Sequence, residues 1–75
     1  MKTTAVDSTM LRTIGYDAER QLLQIEFQNH SIYQYFNVPE AAYEALIQSP
    51  SKGTYFNQCI RPEFDFAQVK AAPLS

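Results

Sequence analysis

Cysteine is almost absent from this chain: of 75 residues, only Cys59 carries a thiol. No disulfide can close within the chain, and small domains of oxidising compartments are usually stapled by several. The expected setting is therefore reducing and cytoplasmic. Histidine occurs once, at His30, and tryptophan not at all. A zinc site wants about four Cys, His or carboxylate ligands, which one Cys and one distant His do not supply. Asp7, Asp17, Glu63 and Asp65 do not follow calcium-loop spacing, so no metal and no cofactor are expected. With only Gly15 and Gly53, the chain has no glycine-rich phosphate loop. Basic residues are also scarce, six Lys and Arg against eight Asp and Glu, for a net charge of −2 and a pI near 5.1. That balance excludes a general polyanion binder, whose affinity comes from neutralising phosphates. No stretch approaches the roughly 20 apolar residues of a membrane helix. Met1 to Asp7 has no apolar run to act as a secretory signal.

What is present is a globular composition. Hydrophobic residues make up 45% of the chain and aromatics 13%, five Tyr and five Phe. A chain this short buries only about 60% of the surface it exposes when unfolded, so one core must supply the stability. Aromatic rings, each with a large buried area, suit such a core. The sequence reads as a flexible leader over 1–7, one domain over 8–66 and a flexible tail over 67–75.

Within that domain the hydrophobic period changes once. Thr9 to Tyr16 alternates Met10, Arg12, Ile14 and Tyr16 against Leu11 and Thr13. After a polar turn, Leu22 to Gln28 puts Leu23, Ile25 and Phe27 on one face and Gln24, Glu26 and Gln28 on the other, the clearest strand signal in the chain. Ile32 to Phe36 follows a short connection, and short links imply an antiparallel meander. Beyond it, Asn37 is placed to cap a helix, with Pro39 in its first turn and Glu40 at the positive end of its dipole. Tyr43, Leu46 and Ile47 form its i, i+3, i+4 stripe. Phe56, Cys59 and Ile60 form a second stripe, ended by Pro62, and Phe64 and Phe66 suggest a short extended segment packing back. The predicted fold is α+β: a three-stranded antiparallel β-meander followed by two short helices packed on one face.

Register decides which side chains are buried. A two-residue loop at Asn29-His30 would pair Phe27 with Ile32 and bury the Gln34 amide, at a cost of about 1–3 kcal/mol if unpaired. A three-residue loop would pair Phe27 with Tyr33 and Ile25 with Tyr35, and send Gln34 outward beside Glu26. The second is preferred. It turns Tyr33 and Tyr35 toward the helices and leaves Ile32 and Phe36 as an apolar pair on the open face.

Little here resembles catalysis. His30, at a hairpin tip, reads as a solvated turn residue. Cys59, on an apolar stripe, reads as a buried and inert thiol. The segment Ser49 to Arg61 is richer. Ser51, Lys52 and Gly53 open a helix whose unpaired N–H groups could receive an anion, with Asn57 and Arg61 further along. The plainer reading has Ser51 as a cap, Lys52 solvated and Arg61 complementing the helix C-terminus.

The order Phe27, Tyr33-Gln34-Tyr35, Val38-Pro39, Ser51-Lys52-Gly53-Thr54-Tyr55-Phe56-Asn57 and Ile60-Arg61 resembles the KTSC domain, over about residues 8–66. That family is named for the C-terminus of some lysyl-tRNA synthetases and also occurs as free-standing small bacterial proteins. Its central YxY motif corresponds to Tyr33 and Tyr35. Asn29 and His30 stand where the family often has a turn glycine, and Phe64 where a Tyr is usual. The resemblance implies no established activity; an association with RNA is suggested by the synthetase fusion alone.

Two function classes follow, neither enzymatic. One is a module for RNA or tRNA, with Ser51, Lys52, Gly53, Asn57 and Arg61 as its anion surface and Tyr33, Tyr35 or Tyr55 as stacking surfaces if exposed; register and family role make these tyrosines structural. The other is a protein-interaction module or homodimer using the open sheet face at Ile32 and Phe36 and the sheet edge.

Overall fold

The computed structural model describes residues 2–72. Its strands are β1 (Lys2–Ala5), β2 (Leu11–Asp17), β3 (Leu22–Phe27), β4 (Ile32–Tyr35) and β5 (Phe66–Lys70), with α1 (Glu40–Gln48), α2 (Lys52–Tyr55) and a π-helical turn (Phe56–Ile60) between β4 and β5. All strands pair antiparallel in one sheet, in the order β1-β2-β3-β4-β5. The fold class is α+β, but the sheet has five strands rather than three. Lys2–Ala5, expected as a leader, and Phe66–Lys70, expected in part as tail, are its edges. Each pairs on one side only and buries little, so neither needs the alternation that betrays a half-buried strand. Met1 and residues 73–75 lie outside the described residues.

One face of the sheet carries the core. Ile14, Leu23, Ile25 and Tyr35 from the strands meet Leu46, Phe56 and Ile60 from the helical segment, all 3% exposed or less. Fully burying one such aliphatic side chain contributes about 1.5–3 kcal/mol. Leu11 joins them although it lies three residues from Ile14. A β-bulge between Leu11 and Thr13 inserts Arg12 and returns Leu11 to the inner face, against simple alternation. The opposite face is polar. Gln34 Nε2 donates to Gln24 Oε1 at 3.0 Å, and Thr13 Oγ1 donates to Glu26 Oε1 at 3.3 Å.

The β3–β4 hairpin settles the register. Phe27 N donates to Ser31 O and His30 N to Phe27 O, each at 2.9 Å, so Gln28-Asn29-His30 is the loop. The ladder pairs Ile25 with Tyr33 and Leu23 with Tyr35, two residues from the expected pairing. An even shift keeps every side chain on its face, so the tyrosines point toward the helices and Gln34 outward, next to Gln24 instead of Glu26. The loop closes through His30 at φ 71°, the left-handed position of a three-residue hairpin. Asn29 Oδ1 accepts from Ser31 N at 3.0 Å and from Ser31 Oγ at 2.6 Å.

The α1 stripe packs as expected, with Leu46 buried and Tyr43 and Ile47 half-buried against the core. Its N-cap is Pro39, not Asn37, which sits at φ 58° two residues earlier and makes the corner into the helix. Among the described residues no helix is long and apolar enough to cross a membrane.

Candidate functional site

Five aromatic rings close a circuit beneath the β4–β5 side of the sheet. Tyr33 touches Phe27 at 5.6 Å, Phe27 touches Phe56 at 5.5 Å, and Phe56 touches Tyr35 at 5.3 Å. Phe66 completes it, 5.5 Å from Tyr35 and 5.6 Å from Tyr33. Edge-to-face and tilted pairs at these spacings each add about 0.5–1.5 kcal/mol beyond buried area. Spacing puts Tyr33 and Tyr35 on the inner face of β4, and pairing with β5 sets Phe66 opposite Tyr35. Exposure is graded around it, with Phe56 at 0%, Tyr35 at 3% and Phe66 at 54%. The circuit therefore begins in the core and ends at the surface.

Where it surfaces there is a cleft of about 300 Å³. Tyr33, Tyr35 and Phe66 line it on the sheet side, and Arg61, Asn29 and Met10 stand around it. The π-helical turn brings Arg61 there. Arg61 N donates to Phe56 O at 2.9 Å, an i→i+5 bond that closes the wide turn. The same widening sets both Phe56 and Ile60 in the core and carries Cys59 off the stripe. Cys59 is exposed, which overturns the reading of a buried thiol. Arg61 Nη1 donates to Asn57 Oδ1 at 3.4 Å, and Asn57 Nδ2 donates to Met10 Sδ at 3.4 Å. Burial raises the Tyr35 phenol above its ordinary pKa; the Arg61 charge works against that rise and Tyr33 adds to it. The phenol thus stays protonated at neutral pH.

Met10 is also a wall of a second cleft of about 330 Å³, shared with Asp7, Ser8 and Thr54. Ser51, Lys52, Gly53 and Asn57 come together there, while Arg61, expected with them, lies in the aromatic cleft. At the start of α2 the polar side chains bond to one another and to nearby backbone. Ser51 makes no cap bond to the backbone; its Oγ donates to Thr54 Oγ1 at 2.8 Å. Lys52 turns back, Nζ donating to Ser49 O at 3.1 Å. Gly53 passes close beneath Met10, where an added Cβ would meet the Met10 Cβ at 3.4 Å.

The remaining candidates are dispersed. Tyr55 is half-buried against the core. Ile32 pairs with Glu26 and Lys70 and is half-buried, and Phe36, just past the end of β4, is 37% exposed. His30 is an exposed turn residue, its Nδ1 3.5 Å from Glu26 Oε2. Phe66, Asn29 and Met10 were not among the residues singled out in the sequence. Phe66 reads there only as part of a short extended segment, since the apolar residues of β5 fall on both parities and mark no face; the other two reach the cleft through tertiary contact.

A family model for the KTSC domain matches residues 7–64. The chain belongs to the KTSC domain family. Related sequences include an uncharacterized protein of Stutzerimonas stutzeri, 41% identical over 63 residues that cover 84% of this chain and 89% of the relative. A lysine–tRNA ligase of Nostoc punctiforme is 38% identical over 63 residues, again 84% of this chain but only 11% of the ligase. The crystal structure of a KTSC domain protein from Yersinia pestis superposes with a TM-score of 0.88 at 32% identity, covering 91% of this chain and 96% of the other. This KTSC domain thus corresponds to nearly all of some relatives and to a small part of others.

Proposed function

We propose that this KTSC domain is a non-catalytic module that binds single-stranded RNA, tRNA among its candidates, in the cytoplasm beside the translation machinery. The observation that carries this reading is the aromatic cleft, with the exposed ring of Phe66 at its mouth and the Arg61 guanidinium beside it. A stacked base contributes about 1–3 kcal/mol on an accessible ring. An acidic chain can bind RNA in this way where it would fail as a phosphate clamp. The lysine–tRNA ligase relatives support the reading through the company the domain keeps.

An amide-NMR titration of the labelled domain with short single-stranded RNA and with tRNA, at low and physiological salt, tests it. Shifts centred on Asn29, Tyr33, Arg61 and Phe66 are expected. Absence of shifts even at low salt would overturn the reading.

A second reading, a protein-interaction module or homodimer, is favoured by the β5 edge. Every residue of that strand is exposed, with Phe66 at 54% and Val69 at 53%, and an open edge invites strand addition. Light scattering at high protein concentration tests the homodimer: a clean monomer removes it.

A further inference from the structure

The aromatic cleft is supplied almost entirely with hydrogen-bond donors. Arg61 contributes a guanidinium, only one end of which is engaged, by Asn57. Asn29 contributes its Nδ2, because both bonds from Ser31 fall on its Oδ1. Among the described residues, the Tyr16 hydroxyl is the one tyrosine hydroxyl bonded within the fold. The hydroxyls of Tyr33 and Tyr35 thus remain for whatever enters. No carboxylate lines the cleft. Guanidinium and amide N–H groups can only donate, whereas a phenol can do either.

Resting on the RNA reading above, we infer that the cleft selects bases that present keto oxygens, uracil and guanine, over the amino bases cytosine and adenine. A flat base laid on Phe66 turns an edge toward Arg61, Asn29 and the two phenols. The O4 of uracil, or the O6 and N7 of guanine, accepts from these donors; the planar fork of Arg matches the guanine pair in particular. The N4 amino group of cytosine and the N6 amino group of adenine would meet the guanidinium and amide N–H groups donor to donor, with only the phenol oxygens able to accept, and a buried donor without an acceptor is costly. Selectivity comes from that mismatch as much as from the good pairing.

The test exchanges keto for amino on an unchanged ring. Tetrauridylate is compared with tetracytidylate, and an inosine tetramer with an adenosine tetramer, by amide-NMR titration of the intact domain. The keto member of each pair is expected to bind about tenfold tighter, the discrimination typical of one good base-edge contact. Arg61→Lys keeps the charge and removes the fork, so it should narrow that ratio while binding persists. Phe66→Ala should weaken all four ligands alike. Both side chains are exposed, and the amide spectrum reports that each variant is folded. Equal binding of all four tetramers, or preference for the amino bases, overturns the selectivity and leaves the RNA reading standing. Binding of none overturns both.

Discussion

The ring of Tyr16 lies flat on that of Tyr43, centroids 4.6 Å apart and planes 7° from parallel, while its hydroxyl donates to Val38 O at 2.6 Å. One side chain thus fastens β2 both to α1 and to the segment that leads into it. Tyr16→Phe keeps the stack and removes the hydrogen bond, leaving the carbonyl of a buried residue without it. The expected cost is about 1–3 kcal/mol, read as a fall of at least about 4 °C in Tm for a domain of this size. A double-mutant cycle of Tyr16→Leu with Tyr43→Leu, each of which removes the stack, should give a coupling of about 0.5–1.5 kcal/mol from the rings. An unchanged Tm for Tyr16→Phe would mean that the hydrogen bond contributes nothing.

His30 holds a left-handed backbone, φ 71°, at the tip of the β3–β4 hairpin. That conformation costs a non-glycine residue about 1–2 kcal/mol, partly offset in glycine by its greater entropy when unfolded. His30→Gly should therefore stabilise the domain by about 0.5–1 kcal/mol in urea denaturation. The exposed contact to Glu26 that it removes is too weak to reverse the sign. Destabilisation would show that the His30 side chain holds the turn.

Tyr35 and Tyr16 both have phenols raised above 10.0, each chiefly by burial. For an acid whose folded pKa exceeds its unfolded one, the native state holds the proton more tightly. Its contribution is complete below the unfolded value and is lost as pH rises through the folded value. Stability should be insensitive to these groups up to about pH 9 and fall above pH 10. Tyr35→Phe should flatten part of that fall, measured as urea midpoints across the alkaline range. An unaltered slope would mean that Tyr35 titrates alike in both states.

Cys59 is exposed on the outer side of the π-helical turn. A disulfide-exchange reagent should label it stoichiometrically in the native protein, at a rate little changed by urea. Protection that disappears only on unfolding would place the thiol back on the apolar stripe and contradict the wide turn.

The sequence was most legible where burial imposes a period. Leu23, Ile25 and Phe27 announced β3, and Tyr43, Leu46 and Ile47 announced the inner face of α1, because each alternates with polar residues at the proper spacing. Legibility failed where hydrogen bonding sets the geometry. The bulge at Arg12 reverses the alternation read for β2, and the Arg61–Phe56 bond moves Cys59 outward without leaving a mark in the residue pattern. Of the edge strands, β1 escaped notice and β5 reads only as a short extended segment at Phe66, because one-sided pairing demands no apolar face. The YxY tyrosines were correctly turned inward, but the cleft they help to line depends on Phe66, 31 residues beyond Tyr35, the residue with which it pairs.

That separation has a kinetic consequence. Strands β1 to β4 pair in the order in which they are connected, so their loops close over short distances and at small entropic cost. β5 must instead wait for α1, α2 and the π-helical turn to be in place before it can reach β4. It also buries little surface in return, all five of its residues being exposed. The β5 side of the aromatic cleft should therefore form last during folding. In the native protein it should exchange its amide protons first, a hinge of low local stability beside a rigid core.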